Sequence, residues 1–155
     1  MLLENSGRTP LFAVSTWNIC GLDNVHSILG DKSCNKDFLD SINCCDIVIL
    51  TETWHHNCDF TIPGFKSFIQ PPKKLNNLKC GRDSGGLAVL FKEEYAKYIF
   101  PLKSESNFLW FKISKELLNT TLDIYTCAAY IPPETSRYFC EDTFETLELD
   151  ISHFS

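Results

Sequence analysis

The sequence predicts an α/β fold built around a sheet that is buried on both faces. Two apolar segments, residues 11–21 and 46–54, are each long enough for one strand and too short for a membrane-spanning helix. Between them, residues 35–43 follow the helical period, with apolar side chains on one face. Strand, helix and strand in this order form a βαβ unit, whose two strands run parallel and whose crossover is right-handed.

The two predicted strands each end in a polar side chain. Residues 46–54 carry an unbroken apolar run followed by Glu52, and residues 11–21 form a second buried strand that contains Asn18 and closes at a turn glycine. Side chains alternate along a strand, so Asn18 shares a face with Thr16, and Glu52 shares one with Leu50. If the strands are parallel neighbours, Asn18 and Glu52 emerge at the same edge and on the same side.

An amide beside a carboxylate at that edge points to a binding site for a hard cation. Open α/β sheets place ligands at the carboxyl ends of their strands. Carboxylate and amide oxygens are the ligands that Mg²⁺ prefers, and an amide can also fix the orientation of a carboxylate. The alternative is that Glu52 leads from the sheet into solvent without any chemical role.

Later segments supply further strands and a closing helix. Strands are predicted at 66–70, 86–91, 108–113 and 122–130, with the last two paired, and a short helix or turn at 92–97. A final helix at 138–154 is predicted to cover a sheet, with its acidic side chains in solvent. Its apolar stripe consists of Cys140, Phe144, Leu147, Ile151 and Phe154.

Four short motifs, in order along the chain, resemble those of the endonuclease/exonuclease/phosphatase superfamily. They are Trp17-Asn18-x-x-Gly21-Leu22, Leu50-Thr51-Glu52-Thr53, Ser84-Gly85-Gly86-Leu87-Ala88-Val89 and Ala129-Tyr130-Ile131-Pro132-Pro133. Within the superfamily, the likeness is greatest to the apurinic-endonuclease-like domains of non-LTR retrotransposons, which accompany a reverse transcriptase. The resemblance covers residue 11 to the end of the chain.

The resemblance implies a fold, a reaction and a set of site residues. The superfamily fold is a β-sandwich flanked by helices, of the four-layer αββα type. The reaction is phosphodiester hydrolysis in DNA, dependent on Mg²⁺ or Mn²⁺. The glutamate matching Glu52 binds the metal, the asparagine matching Asn18 orients the site, and the tyrosine matching Tyr130 contacts the phosphate. A sugar- or lipid-phosphate phosphatase of the same superfamily is an alternative, less favoured because of the Tyr130-Ile-Pro-Pro motif.

The chain also departs from the pattern of that superfamily. It lacks the later Asp-x-Asn motif and the Asp-His pair, and Cys20 stands where apurinic enzymes carry an acidic residue near the metal. We therefore expect a disordered tail at 1–10 and a truncated domain at 11–155, comprising about the first half of the fold with one main mixed sheet. Such a chain should bind metal weakly and be inactive. It could instead be a non-catalytic fragment that binds nucleic acid or a protein partner.

The charge distribution allows a local contact with nucleic acid. The net charge is −6, yet residues 66–115 contain ten basic and four acidic side chains. A basic loop precedes the Ser84-Gly85-Gly86 motif, and its cations are Lys73, Lys74, Lys79 and Arg82. Contacts from these side chains to backbone phosphates are one interpretation. A loop that is basic only because it is solvated is the other.

The cysteines and the apolar segments bear on where the protein resides. None of the eight cysteines forms a Cys-x-x-Cys pair, and most adjoin apolar elements, so we expect reduced and mostly buried thiols. No signal peptide or membrane span is evident, which predicts an intracellular protein, nuclear or cytoplasmic, without a membrane partner. If only one sheet forms, its uncovered apolar face should favour self-association.

Overall fold

The computed structural model describes residues 11–22, 31–56, 60–73, 84–105 and 107–154 of the 155-residue chain. These residues form a mixed α/β structure with two sheets and three α-helices, which confirms the predicted fold class. The expected N-terminal tail at 1–10 lies outside the described residues. No helix in the described part of the chain is long and apolar enough to cross a membrane.

The first sheet has four strands in the order β1-β2-β4-β3. Its strands are β1 (Val14–Asn18), β2 (Ile47–Thr51), β3 (Phe65–Gln70) and β4 (Leu87–Lys92). β1 runs parallel to β2, as the βαβ pattern predicts, and the remaining pairs are antiparallel. The helix between β1 and β2 is α1 (Lys36–Asn43), whose N-terminus is capped by the Asn35 side chain accepting a hydrogen bond from Phe38 N at 3.0 Å.

The second sheet consists of three antiparallel strands in the order β5-β6-β7. They are β5 (Ile99–Glu105), β6 (Phe108–Ile113) and β7 (Ile124–Ala129), with the short helix α2 (Lys115–Leu118) between the last two. The pairing of β6 with β7 confirms the prediction. The expectation of one main sheet is wrong, because β5 was not recognised: its only buried residue is Ile99, and Pro101 interrupts its pattern.

The two sheets share one hydrophobic core. β2 and β4 contribute Ile47, Val89 and Phe91, and β6 contributes Leu109 and Phe111, all at most 2% exposed. The first sheet therefore does not leave this face without a partner, contrary to expectation. Whether the chain self-associates through other surfaces stays a prediction.

A second core cluster lies on the opposite face of the first sheet. Phe38 and Ile42 of α1 pack with Val48, Leu50 and Leu90, which project from β2 and β4 on the side away from the second sheet. β2 is thus covered on both faces, as its unbroken apolar run predicts.

The prediction that the first strand is buried is wrong. β1 is the end strand of its sheet, and Val14 and Trp17 are 55% and 44% exposed. An apolar run identifies a strand but cannot show whether the strand has a neighbour on both sides. β1 makes contacts on its inner side, such as that between the rings of Trp17 and Phe38, whose centroids are 5.8 Å apart.

The closing helix, α3 (Thr143–Phe154), packs through only part of the predicted apolar stripe, which includes Phe154. Phe144 and Ile151 of that stripe are about half exposed, whereas Asp150 is buried. The Asp150 carboxylate accepts hydrogen bonds from Lys103 Nζ at 2.6 Å and from the Trp110 indole at 2.9 Å. These bonds, which the helical period alone could not predict, direct the polar side of α3 towards the second sheet.

The cysteines in the described part of the chain form no disulfide and are mostly exposed. The six that the structure describes are free thiols, and only Cys45 and Cys127 are partly buried. The predicted burial is therefore wrong. The exposed ones lie in loops and at helix ends rather than in the apolar elements beside them: Cys20, Cys34, Cys44 and Cys140.

Candidate functional site

Three side chains predicted from the sequence meet where β1, β2 and β7 end. The Tyr130 hydroxyl donates a hydrogen bond to Glu52 Oε1. The Cys20 thiol lies 3.4 Å from Asn18 Oδ1 and 3.7 Å from Glu52 Oε2, as a donor to both. Asn18, Glu52 and Tyr130 are thus brought together, with Cys20 between the amide and the carboxylate. Their catalytic and metal-binding roles stay predictions.

Glu52 reaches this place by a backbone turn and not by strand alternation. In the register of β1 with β2, Asn18 pairs with Thr51, so continued alternation would direct Glu52 to the opposite face, with Leu50. Glu52 instead has φ +53°, in the left-handed region, and its carboxylate points to the side of Tyr130, which packs against the core between the sheets. The predicted meeting is observed, but the parity argument behind it is wrong.

The loops after β1 and β2 continue the parallel pairing beyond both strands. Ile19 N donates to Thr51 O at 3.1 Å, and Gly21 N donates to Glu52 O at 2.8 Å. Lys32 holds the same loop from outside, because its ammonium donates to the carbonyls of Ile19 and Gly21 at 2.6 and 2.5 Å. This role of Lys32 was not predicted, since the lysine lies in a polar, turn-rich segment.

A pair of glycines supports Glu52 from the other side. Gly85 and Gly86 have φ of +80° and +85°, and their carbonyls accept hydrogen bonds from Trp54 N and Thr53 N, both at 3.2 Å. A Cβ on Gly86 would lie 2.4 Å from Thr53 Oγ1, and one on Gly85 would lie 3.4 Å from the Tyr130 ring. The predicted close backbone approach at the start of β4 is confirmed.

Glu52 and Tyr130 open onto a cleft of about 450 Å³. Its lining joins the end of β2 to the segment that follows β7 and consists of Glu52, Trp54, Ser84, Tyr130, Pro133, Thr135, Ser136, Arg137 and Tyr138. The charged groups in this lining are one carboxylate, that of Glu52, and one guanidinium, that of Arg137. Arg137 and Tyr138 were not predicted as site residues, because no motif includes them and Tyr138 was assigned to the start of the closing helix.

Whether Glu52 and Asn18 hold a magnesium ion stays a prediction. No group of three or more His, Cys, Asp or Glu side chains in the described part of the chain could hold a metal. Glu52 and Asn18 offer hard oxygen atoms, and Mg²⁺ sites commonly use one or two carboxylates together with water and substrate phosphate. Cys20 offers a soft sulfur atom, which Mg²⁺ does not favour.

Little of the predicted basic loop falls in the described part of the chain. Lys73 is exposed, and its backbone pairs with that of Ser84, with Lys73 N donating to Ser84 O at 2.9 Å. Lys74, Lys79 and Arg82 lie outside the described residues. Their contact with nucleic acid stays a prediction.

No model of a known protein family matches the chain, and a search of curated proteins also found no match. Function is therefore inferred from the sequence motifs and from the geometry of the cleft.

Proposed function

We propose that the cleft is part of a metal-dependent phosphodiesterase site of the retroelement DNA endonuclease type. The observation that carries this proposal is the hydrogen bond between Glu52 and Tyr130, which joins the ends of strands from two sheets. Asn18 stands beside the same carboxylate, linked to it through the Cys20 thiol. A metal ligand, an amide that orients it and a hydroxyl able to reach a phosphate are the elements that the motifs imply.

Each side chain has a distinct part in the proposed chemistry. Glu52 and Asn18 would hold Mg²⁺ or Mn²⁺, which when bound neutralises charge on the phosphate. The Tyr130 hydroxyl holds one carboxylate oxygen of Glu52, and the ion would take the place of the Cys20 thiol at the other. When substrate enters, the same hydroxyl can donate to a phosphate oxygen, where charge develops in the transition state.

We also propose that the arrangement of layers is the αββα type of the resembled superfamily. Two packing contacts support it. Phe38 and Ile42 of α1 pack on the first sheet, on the face away from the second. Phe154 of α3 packs against Trp110 and Tyr125 of the second sheet, with ring centroids 4.9 and 5.8 Å apart.

The chain is expected to bind metal without cleaving DNA. In the described lining of the cleft, no histidine and no second carboxylate accompanies Glu52, so none remains to act as general base if Glu52 holds the metal. The absence of a general base lowers a rate by ~10²–10⁴. The purified chain should therefore leave supercoiled plasmid intact in Mg²⁺ or Mn²⁺.

The test is a titration of the chain with Mn²⁺, followed through the electron paramagnetic resonance signal of the free ion. We expect weak binding that Glu52→Gln abolishes, because the amide keeps the shape and an acceptor for Tyr130 but removes the charge. Glu148→Gln makes the same change on an exposed face of α3 and should bind Mn²⁺ as the wild type does. Equal binding by wild type and Glu52→Gln would refute the proposed site. Plasmid nicking that disappears in Glu52→Gln would instead refute the predicted inactivity.

A further inference from the structure

We propose that Arg137 binds the phosphodiester group of the substrate in the cleft that Glu52 also lines. This inference rests on the proposed function and assigns to it a residue that no motif includes. Arg137 is the one cation in the described lining of the cleft, and Glu52 is the one anion. A substrate strand with a phosphate beside Arg137 would therefore extend towards the carboxylate and its metal.

The guanidinium of Arg137 packs on a neighbouring aromatic ring and has no ion-pair partner among the described residues. Among the described residues, no carboxylate oxygen lies within ion-pairing distance of it. It lies over the ring of Tyr138, 5.1 Å from the centroid, and donates to the Tyr138 hydroxyl at 3.4 Å. The hydrogen bond uses one N–H of the guanidinium and leaves the other N–H groups for a ligand.

Hydrogen bonds order the segment that presents Arg137. Ser136 N donates to Pro133 O at 2.8 Å, and Phe139 N donates to Ser136 O at 3.0 Å. The Ser136 hydroxyl accepts from Tyr138 N at 3.2 Å. Arg137 therefore projects from a succession of turns, in which hydrogen bonds hold the backbone of its neighbours on both sides. Less conformational entropy is lost when such a side chain binds a ligand than when a solvated lysine does.

The chemistry of the surrounding groups favours a phosphate ligand. A guanidinium offers a planar fork of donors that matches two oxygens of one phosphate. Hydroxyl groups of Thr135, Ser136 and Ser84 line the same cleft and can donate to further phosphate oxygens. On a chain with net charge −6, general attraction to a polyanion is absent, so a single oriented cation contributes a large share of the binding.

The test measures DNA binding without metal, so that it is independent of Glu52. Fluorescence anisotropy of a labelled duplex is followed at low salt in EDTA. Arg137→Gln should weaken binding about tenfold, the effect of losing one charge-assisted contact, and Arg137→Lys should restore part of it. The slope of log K against log salt should fall by about 0.9 in Arg137→Gln, as expected for one lost phosphate contact on B-DNA.

The matched control is Lys97→Gln, which removes one positive charge from an exposed position outside the cleft. It should leave both affinity and salt slope near the wild-type values. Equal weakening by Lys97→Gln and Arg137→Gln, or no binding by the wild-type chain, would overturn the proposal. Displacement of the duplex by an equal phosphate concentration of inorganic phosphate would also overturn it, because the site would then favour a free anion.

The two assays test the proposed metal site and the inference about Arg137 independently of each other. Loss of the Glu52-dependent Mn²⁺ signal would remove the proposed function and leave the EDTA result intact. Loss of the Arg137 effect in EDTA would remove only the inference about Arg137. Thermal melting of each variant confirms folding, which is expected because Arg137 is exposed.

Discussion

The carboxylate of Asp46 should contribute more to stability than any other charged side chain beside the first sheet. Asp46 precedes β2 and is 9% exposed. It accepts hydrogen bonds from Ala13 N at 2.7 Å, Tyr95 hydroxyl at 3.0 Å and Lys92 Nζ at 3.1 Å. These donors come from the approach to β1 and from the end of β4 with the turn after it, so the carboxylate links the start of β2 to two segments distant in sequence.

Asp46→Ala should lower the free energy of unfolding by about 2–4 kcal/mol. Hydrogen bonds to a charged group each contribute ~1.5–3 kcal/mol when buried, but the Lys92 side chain is 32% exposed and can turn to water. The principal loss is therefore at Ala13 N and the Tyr95 hydroxyl, which both lose the Asp46 carboxylate as acceptor. Tyr95→Phe, which leaves Asp46 with two donors, should cost only about 1 kcal/mol.

Urea denaturation followed by circular dichroism would measure these differences. The double variant Asp46→Ala with Tyr95→Phe should be less destabilised than the sum of the two single variants, because each removes part of the same network. An Asp46→Ala effect below ~1 kcal/mol, or strict additivity, would refute the structural role given to this carboxylate.

The same network predicts that stability is lost both in acid and in strong alkali, through two different groups. Burial alone would raise the pKa of Asp46, but the hydrogen bonds from Ala13, Lys92 and Tyr95 outweigh it and lower the pKa below its ordinary 3.8. Its stabilisation is therefore present above pH 3.8 and is lost as the pH falls through the lowered pKa. Burial and the Asp46 hydrogen bond raise the pKa of Tyr95 to about 12. That contribution is complete below pH 10 and is lost as the pH rises through about 12.

Two further predictions concern the glycine pair and the thiols. Gly86→Ala should destabilise the chain by about 2 kcal/mol or more in urea denaturation, because the new Cβ would lie 2.4 Å from Thr53 Oγ1. The control is Gly64→Ala: Gly64 also has a positive φ, +82°, but no atom lies within 4 Å of the new Cβ, so this variant should cost only ~1 kcal/mol. A similar cost for both would contradict the contact. Timed thiol labelling, read by mass spectrometry, should show that the exposed Cys140 reacts quickly and Cys127 slowly. The reason is that burial raises the pKa of Cys127 to about 11, so little of it is thiolate. Equal labelling rates would contradict the burial of Cys127.

Elements governed by local pattern were predictable from the sequence. The β2 run is apolar at every position from Ile47 to Leu50 because both faces are covered, and that property can be read directly from residue type. The start of α1 was predictable because Asn35 is a residue type that caps helices through its own side chain. In both cases the residues that predict the element lie within it or directly beside it.

Properties that depend on distant partners were not predictable. The exposure of β1 follows from its place at the end of the sheet order, which its own residues do not encode. The orientation of α3 follows from Asp150 meeting Lys103 and Trp110, which are 47 and 40 residues away along the chain. A carboxylate in a helix is ordinarily exposed, so only the tertiary contact shows that this one is buried.

Backbone strain at the candidate site strengthens the case that its side chains are there for a purpose. Four described residues other than glycine have positive φ, and three of them, Cys20, Glu52 and Trp54, lie in the paired loops beyond β1 and β2. The left-handed conformation costs ~1–2 kcal/mol for such residues, and glycine would remove that cost. The fourth, Asn119, follows α2 as its C-cap, where an asparagine in this conformation is common. A glycine at position 52 would relieve this strain. Because the chain has a glutamate there instead, with its carboxylate facing the cleft, the strain favours a functional position for Glu52 over a passive turn.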